Sequence, residues 1–391
     1  MSDHEHMIYL DYAASTPVDP DVLEAMTAAM TVAGNYANPS STHSAGRESI
    51  DLIARAAGQL AELLHTSPDR LIWTSGATES DNLAILGAAS YRKDRGRHLV
   101  TMRTEHKAVT DPFSVLEKQG FDVTWLEPEA DGRLDIDNFA RTLRDDTQLV
   151  SIMHINNETG IIQDIAALGA LCRDRDILFH VDAAQSCGKL PIDLEALPVD
   201  LMSMTAHKFY GPKGIGALYI ADRKGVHVEP LLFGGGQQRR LRPGTLPTQQ
   251  IVGFGATAAA AHSRMPDDLA HLTALRDRFW SGIRDIPGVL INGSVEHSFP
   301  GIINVSIEDI EGESLLLALE PLCVATGSAC NSKSQEPSYV LRALGRSDEL
   351  AQSAIRFSFG RPTTEAEVDT AIELYRNAVS KLRDLAPEQA A

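Results

Sequence analysis

Seven short runs of apolar and β-branched residues, separated by segments long enough for a helix, constrain this chain more than any other feature. They occupy positions 71–74, 98–102, 121–126, 149–155, 177–182, 201–205 and 216–220. Strands alternating with helices pair in a mostly parallel sheet, because a parallel neighbour is reached only by a crossover. The expected fold is therefore α/β: a large domain over residues 14–260, built on a seven-stranded, mostly parallel sheet. One covering helix is legible beforehand, since Ile50, Ile53, Ala57, Leu60 and Leu64 recur at spacings of three and four. Beyond residue 260 the texture changes. A mixed charged and apolar stretch at 267–286 reads as a long connecting helix. Three more strand candidates follow at 301–307, 322–325 and 354–359, then a helix opened by Thr364 with Glu367 as a capping box. Val368, Ile372, Tyr375, Val379 and Leu382 share one face of it. These pieces predict a smaller α+β domain of residues 261–391 joined by residues 1–13.

Composition narrows the function. Thirty-five Lys and Arg stand against 53 Asp and Glu, a formal charge of −18, which disfavours direct nucleic-acid binding and anionic membrane surfaces. Four cysteines, Cys172, Cys187, Cys323 and Cys330, form no Cys-x-x-Cys pair, so neither a disulfide scaffold nor a structural metal is expected. No apolar run reaches the ~18 residues of a membrane span, and residues 1–7 hold no signal-peptide core. A soluble, cytoplasmic protein is expected.

Ligands of open α/β sheets bind beyond the carboxyl ends of the strands, and four such places carry polar motifs. After 71–74 comes Ser75-Gly76-Ala77-Thr78-Glu79-Ser80 opening a helix, either a plain cap or a phosphate cradle of backbone N–H groups. Asp182 closes an apolar strand, where a carboxylate is a cap or needs a cation, a metal or a protonated ring nitrogen. Lys208 follows 201–205 almost directly and precedes a Gly/Pro loop. It is either a surface lysine or a desolvated amine suited to Schiff-base chemistry. His106, after 98–102, is structural or else stacks on a ring or moves protons. Together these supply a phosphate cradle, an acid for a ring nitrogen, an amine and a ring-facing histidine, which is what pyridoxal phosphate requires of a protein.

The chain resembles the cysteine desulfurases of the NifS/IscS group, in the class V aminotransferase fold (fold type I pyridoxal-phosphate transferases). The likeness runs from Tyr9 to Leu385. It rests on Tyr9-Leu10-Asp11-Tyr12-Ala13-Ala14-Ser15-Thr16-Pro17, the Ser75–Ser80 motif, Thr104-Glu105-His106-Lys107, Asn156-Asn157-Glu158-Thr159-Gly160, His180-Val181-Asp182-Ala183-Ala184-Gln185, His207-Lys208, Gly244-Thr245-Leu246-Pro247 and Gly327-Ser328-Ala329-Cys330. The resemblance implies a homodimer with pyridoxal phosphate on Lys208. Asp182 would meet the ring nitrogen, His106 the ring face and Gln185 the ring hydroxyl. Ala77, Thr78, Thr205 and His207 would hold the phosphate, with Thr245 arriving from the other subunit. Asn157 and Arg356 would bind the substrate carboxylate, and Cys330 would be the nucleophile.

The residues themselves agree. Cys330 stands in a run of small and polar residues with little to bury, as suits a thiol that moves. Arg356, charged within a strand pattern, calls for a carboxylate, of substrate or of a neighbouring Asp or Glu. The implied reaction turns L-cysteine into L-alanine and a Cys330 persulfide. The persulfide then passes to a sulfur-acceptor protein, for iron–sulfur cluster assembly, tRNA thiolation or DNA phosphorothioation. Arg242-Pro243-Gly244-Thr245 is a variant found in the phosphorothioation subgroup, and the basic run Arg239–Arg242 could face an acidic acceptor or phosphate. The sequence ends soon after Leu385, where housekeeping members carry a scaffold-docking tail, which leaves that partner open. Rival readings are a selenocysteine lyase, another class V aminotransferase and a non-catalytic dimeric scaffold.

Overall fold

The computed structural model describes residues 7–326 and 336–385. All seven runs form strands: β1 (Leu71–Thr74), β2 (His98–Met102), β3 (Asp122–Leu126), β4 (Thr147–Met153), β5 (Leu178–Asp182), β6 (Leu201–Thr205) and β7 (Gly216–Ile220). They make one sheet in the order β1-β7-β6-β5-β4-β2-β3. The strands from β3 to β6 are parallel, and β7 runs antiparallel to both β1 and β6. Six strands are buried along their whole length, and only β3 at one edge is partly exposed. A sheet covered on both faces explains why these runs are continuously apolar instead of alternating. Successive residues feed different cores: Val100, Val150, Phe179 and Met202 pack on one face, Leu99, Leu149, Leu178 and Leu201 on the other. The fourth strand lies two residues earlier than expected. Ile155 has left the ladder and bridges Ile162 instead.

Helix α1 (Ser44–Leu63) packs Ile53, Ala57, Leu60 and Leu64 on the first core. Ile50, counted in the expected stripe, is half exposed. Helices α2 (Ala77–Tyr91) and α3 (Lys107–Lys118) start within the polar motifs that follow β1 and β2. The connecting helix, α4 (Thr248–Ile283), begins well before the expected position 267 and runs through the alanine-rich stretch near residue 260. Alanine lacks the bulk that makes periodicity visible, yet it is the strongest helix former. Ile251, Phe254 and Ala258 of α4 join the sheet core, while Leu272, Leu275, Phe279 and Ile283 join a second one.

That second core belongs to a smaller antiparallel sheet of β8 (Val289–Ile291), β9 (Ile302–Ile307), β10 (Ala325–Thr326) and β11 (Ile355–Ser358), ordered β10-β11-β9-β8. Helix α5 (Glu365–Leu385) covers it. The capping box is present: Thr364 N–H donates to Glu367 at 2.7 Å, and Glu367 N–H donates to Thr364 Oγ1 at 3.2 Å. Ile8–Tyr9 pairs in parallel with Leu322–Cys323, and Leu10 and Ala13 are buried in this same core. Among the described residues, no helix is long and apolar enough to cross a membrane, and no cluster of His, Cys, Asp or Glu could hold a metal.

Candidate active site

A cleft of about 1060 Å³ opens at the carboxyl ends of the sheet strands, with the smaller unit forming one wall. Ten of the expected site residues line it: Ala77, Thr78, His106, Asn157, Asp182, Gln185, Thr205, His207, Lys208 and Arg356. Thr245 is exposed and stands outside the cleft. Cys330 lies outside the described residues.

The floor comes from the sheet. Register aligns Met153, Asp182 and Ser203 across β4, β5 and β6, so Asp182 stands in the middle of the strand ends. It is buried, and its Oδ1 accepts the Ala184 N–H at 2.8 Å. Burial pushes its carboxyl up, against that N–H and the nearby His106 and Lys208. Below it, fully buried Asp81 on α2 lies 3.6 Å from His180 Nε2. Burial, and then the charge of Asp182, drive Asp81 up as well. The His180 ring is held between Ser151 Oγ (2.8 Å) and Ser203 Oγ (2.9 Å), and burial lowers it to about 3, so it stays neutral. Burial favours the neutral form of both acids, and a cation at the cleft surface would draw Asp182 back to its carboxylate; a protonated ring nitrogen is one group that would do so.

The phosphate end is equally specific. Helix α2 begins at Ala77 behind Gly76, and no side chain caps it, so the first-turn N–H groups are offered to the cleft. Gly216 of β7 packs directly on this turn: a Cβ there would lie 2.5 Å from the Gly76 carbonyl carbon. Thr205 Oγ1 donates to the Ile215 carbonyl at 3.2 Å, and His207 Nδ1 is 3.3 Å from Ser15 Oγ. Burial, then Lys208 and Lys213, bring His207 down to about 4, leaving a neutral ring.

Lys208 ends the short turn after β6 and is not a surface lysine. Its Nζ donates to the Ala13 carbonyl at 2.7 Å and the Ala14 carbonyl at 2.9 Å. His106 caps α3 by accepting the Ala108 N–H on Nδ1 at 3.1 Å, so its structural and chemical readings coexist. In the neutral ring that arrangement places the proton on Nε2.

The wall carries Arg356, on β11. Its guanidinium donates to the Asn157 carbonyl at 2.8 Å and to Asp11 Oδ1 at 2.7 Å, while Nε has no hydrogen-bond partner. The internal ion pair considered for Arg356 therefore exists, and with the Asn157 contact it engages two of the five guanidinium N–H donors. Beside it, buried Glu158 accepts from Ser338 Oγ at 2.5 Å. Burial pushes its carboxyl up to about 7, against Ser338 and Arg356. Sequence reasoning assigned no role to Asp11, Glu158 or Asp81. The first two stood inside quoted motifs. Asp81 lies just past the first turn of α2, and only the sheet below shows what surrounds it.

Among the other thiols, Cys172 and Cys187 are buried. Burial raises both, Cys187 to about 12, which suppresses the thiolate.

A doubly wound sheet with an amine, a buried carboxylate and an uncapped helix at its strand ends defines a pyridoxal-phosphate transferase. The aminotransferase class-V family matches residues 8–371. The Cysteine desulfurase IscS of Escherichia coli O139:H28 (strain E24377A / ETEC) is 54% identical over 97% of this chain and 94% of its own length. A solved NifS-like protein superposes with a TM-score of 0.89 at 36% identity, covering 96% of this chain and all of that one. A second, SspA in complex with cysteine, gives 0.80 at 37% identity, covering 91% of this chain and 99% of its own. The chain belongs to the class V aminotransferase family, in its cysteine desulfurase branch, and is a pyridoxal-phosphate enzyme.

Proposed function

We propose that the enzyme takes sulfur from L-cysteine, releases L-alanine, and carries the sulfur on Cys330 as a persulfide to an acceptor protein. The observation that carries this reading is the convergence of Lys208, Asp182 and Arg356 on one cleft. The floor fits the cofactor: first-turn N–H groups at Ala77 and Thr78, with Thr205 and His207, suit its phosphate. Asp182 suits its ring nitrogen, Gln185 its ring hydroxyl, His106 its ring face and Lys208 its carbonyl carbon. When bound, pyridoxal phosphate supplies the electron sink for the pair left when the substrate Cα loses its proton.

The chain's own groups do the rest. Arg356, held by Asp11 and the Asn157 carbonyl, offers a remaining guanidinium N–H to the substrate carboxylate, and Asn157 flanks it. Lys208 Nζ takes the Cα proton. The Cys330 thiolate attacks the substrate sulfur: an S–S bond forms, the Cβ–S bond breaks, and its electron pair leaves with carbon. Cβ then gains a proton and Cα regains the one held on Lys208 Nζ, which makes alanine, and sulfur stays on the enzyme oxidised to the persulfide level. His106, with Nδ1 engaged by the Ala108 N–H and the proton on Nε2, can donate that proton in the cleft. SspA, solved with cysteine, supports that substrate. The exposed position of Thr245, away from its own chain's cleft, supports a homodimer in which it completes the partner's phosphate site.

Incubation with cysteine, alkylation and mass spectrometry should find one extra sulfur at Cys330 and alanine in solution. Cys330→Ser should keep the cofactor colour yet form neither. Turnover by that variant at the normal rate would refute the reading.

A further inference from the structure

Lys189 lies outside the set of expected site residues and ends in the same hydrogen-bond network as Lys208. The turn after β5 directs it there. Gly188 has φ +72° and would place a Cβ 2.2 Å from the Phe209 ring, so only glycine allows this turn. Lys189 Nζ donates to Gln185 Oε1 at 2.9 Å and sits 5.5 Å from the centre of the Phe299 ring. It borders a small cavity shared with Tyr12, Tyr210, Asp268, Arg361 and Lys208. Burial, then Lys208 and Arg356, bring its amine down to about 7, with Cys187 acting weakly the other way. An ammonium held against two other cations is costly, and among the described residues it donates to Gln185 Oε1.

Below about pH 7 the Lys189 amine is an ammonium that can only donate, so Gln185 must then turn Oε1 toward it. A carbonyl can only accept, so Gln185 Nε2 must face Ala13, to which it donates at 2.8 Å. Reversing the amide would set donor against donor and acceptor against acceptor. The Ala13 carbonyl is shared with Lys208 Nζ, the amine that has to change partners during turnover, whereas Lys189 has no such duty. We propose that Lys189 is a positioning residue of the cofactor site, holding Gln185 so that its Nε2 end is the one offered to the cleft. This inference rests on the proposed role of Gln185 toward the cofactor's ring hydroxyl.

The test is titration of the apoenzyme with pyridoxal phosphate, followed by visible absorbance at pH 6.5, with folding of each sample checked by circular dichroism. Lys189→Met, which keeps volume and removes the donor, should weaken the cofactor Kd roughly tenfold, as expected for one charge-assisted hydrogen bond. In a Gln185→Ala background the same change should add less than about twofold, because the partner is already gone. Lys189→Gln keeps an N–H donor and should recover most of the affinity. Unchanged affinity in Lys189→Met would overturn the assignment, as would a loss of equal size in the Gln185→Ala background. If Lys189→Met does not fold, Lys189→Ala with and without Gln185→Ala reads the same coupling. A wild-type apoenzyme that binds no pyridoxal phosphate would overturn the cofactor site itself, and this assignment with it.

Discussion

The floor and the wall of the cleft meet their electrostatic demands in opposite ways. On the floor, Asp182 and Asp81 are buried together with a neutral His180, and the first turn of α2 has no side-chain cap. This surface offers an acid pair and open helix N–H groups for a bound molecule to engage. On the wall, Arg356 already has Asp11 and the Asn157 carbonyl, and Glu158 has Ser338. What binds there meets donors already oriented and only partly engaged. The difference separates a resident cofactor, which the protein is built around, from a substrate that must arrive and leave at every turnover.

Breaking the floor should have the largest effects. Lys208→Ala should lower alanine release by 10²–10⁴-fold or more, the range of a lost general base, and borohydride reduction should no longer attach the cofactor to the chain. Attachment instead at Lys189 or Lys213 would show that the amine was misassigned. Asp182→Asn comes next: cofactor should still bind, while exchange of the substrate Cα hydrogen, followed by NMR in deuterated water, slows by about 100-fold. Normal exchange would dissolve the distinction between floor and wall.

The wall should respond more gently. Asp11→Asn leaves Arg356 in place but unsteadied, so KM for cysteine should rise about tenfold with kcat changed little, measured by steady-state kinetics. A large fall in kcat with KM unchanged would instead place Asp11 with the floor.

The smallest effect is on stability. Glu158 is raised in the folded chain from its ordinary 4.5 to about 7. Between those values the folded protein holds a proton that the unfolded one has released, so stability falls as pH rises through that window and is level above it. Glu158→Gln lacks this fall. Its melting temperature should gain on the wild type between pH 4.5 and 8, by the equivalent of about 3 kcal/mol at most. A constant difference across that range would mean that Glu158 does not titrate there.

Much of this was readable from residue order. Apolar runs buried on both faces announce a covered parallel sheet. The polar residue that follows each run then falls at the carboxyl end of a strand, which is why Lys208, Asp182, His106 and the Ala77–Thr78 turn could be named beforehand. The start of α4 was less legible, because an alanine run shows no face. The strand expected at 322–325 divides into Leu322–Cys323 and Ala325–Thr326, which pair in different sheets.

The sequence by itself determined the layered fold and the chemical kind of each group in the cleft, since local patterning and residue type are properties of neighbours in the chain. Tertiary structure alone decided how those groups are charged and aimed. Arg356 meets Asp11 across 345 positions, Ser338 meets Glu158 across 180, and Lys208 meets Ala13 across 195. Burial and opposing charges act through space, and both depend on which distant segments the packed cores bring together.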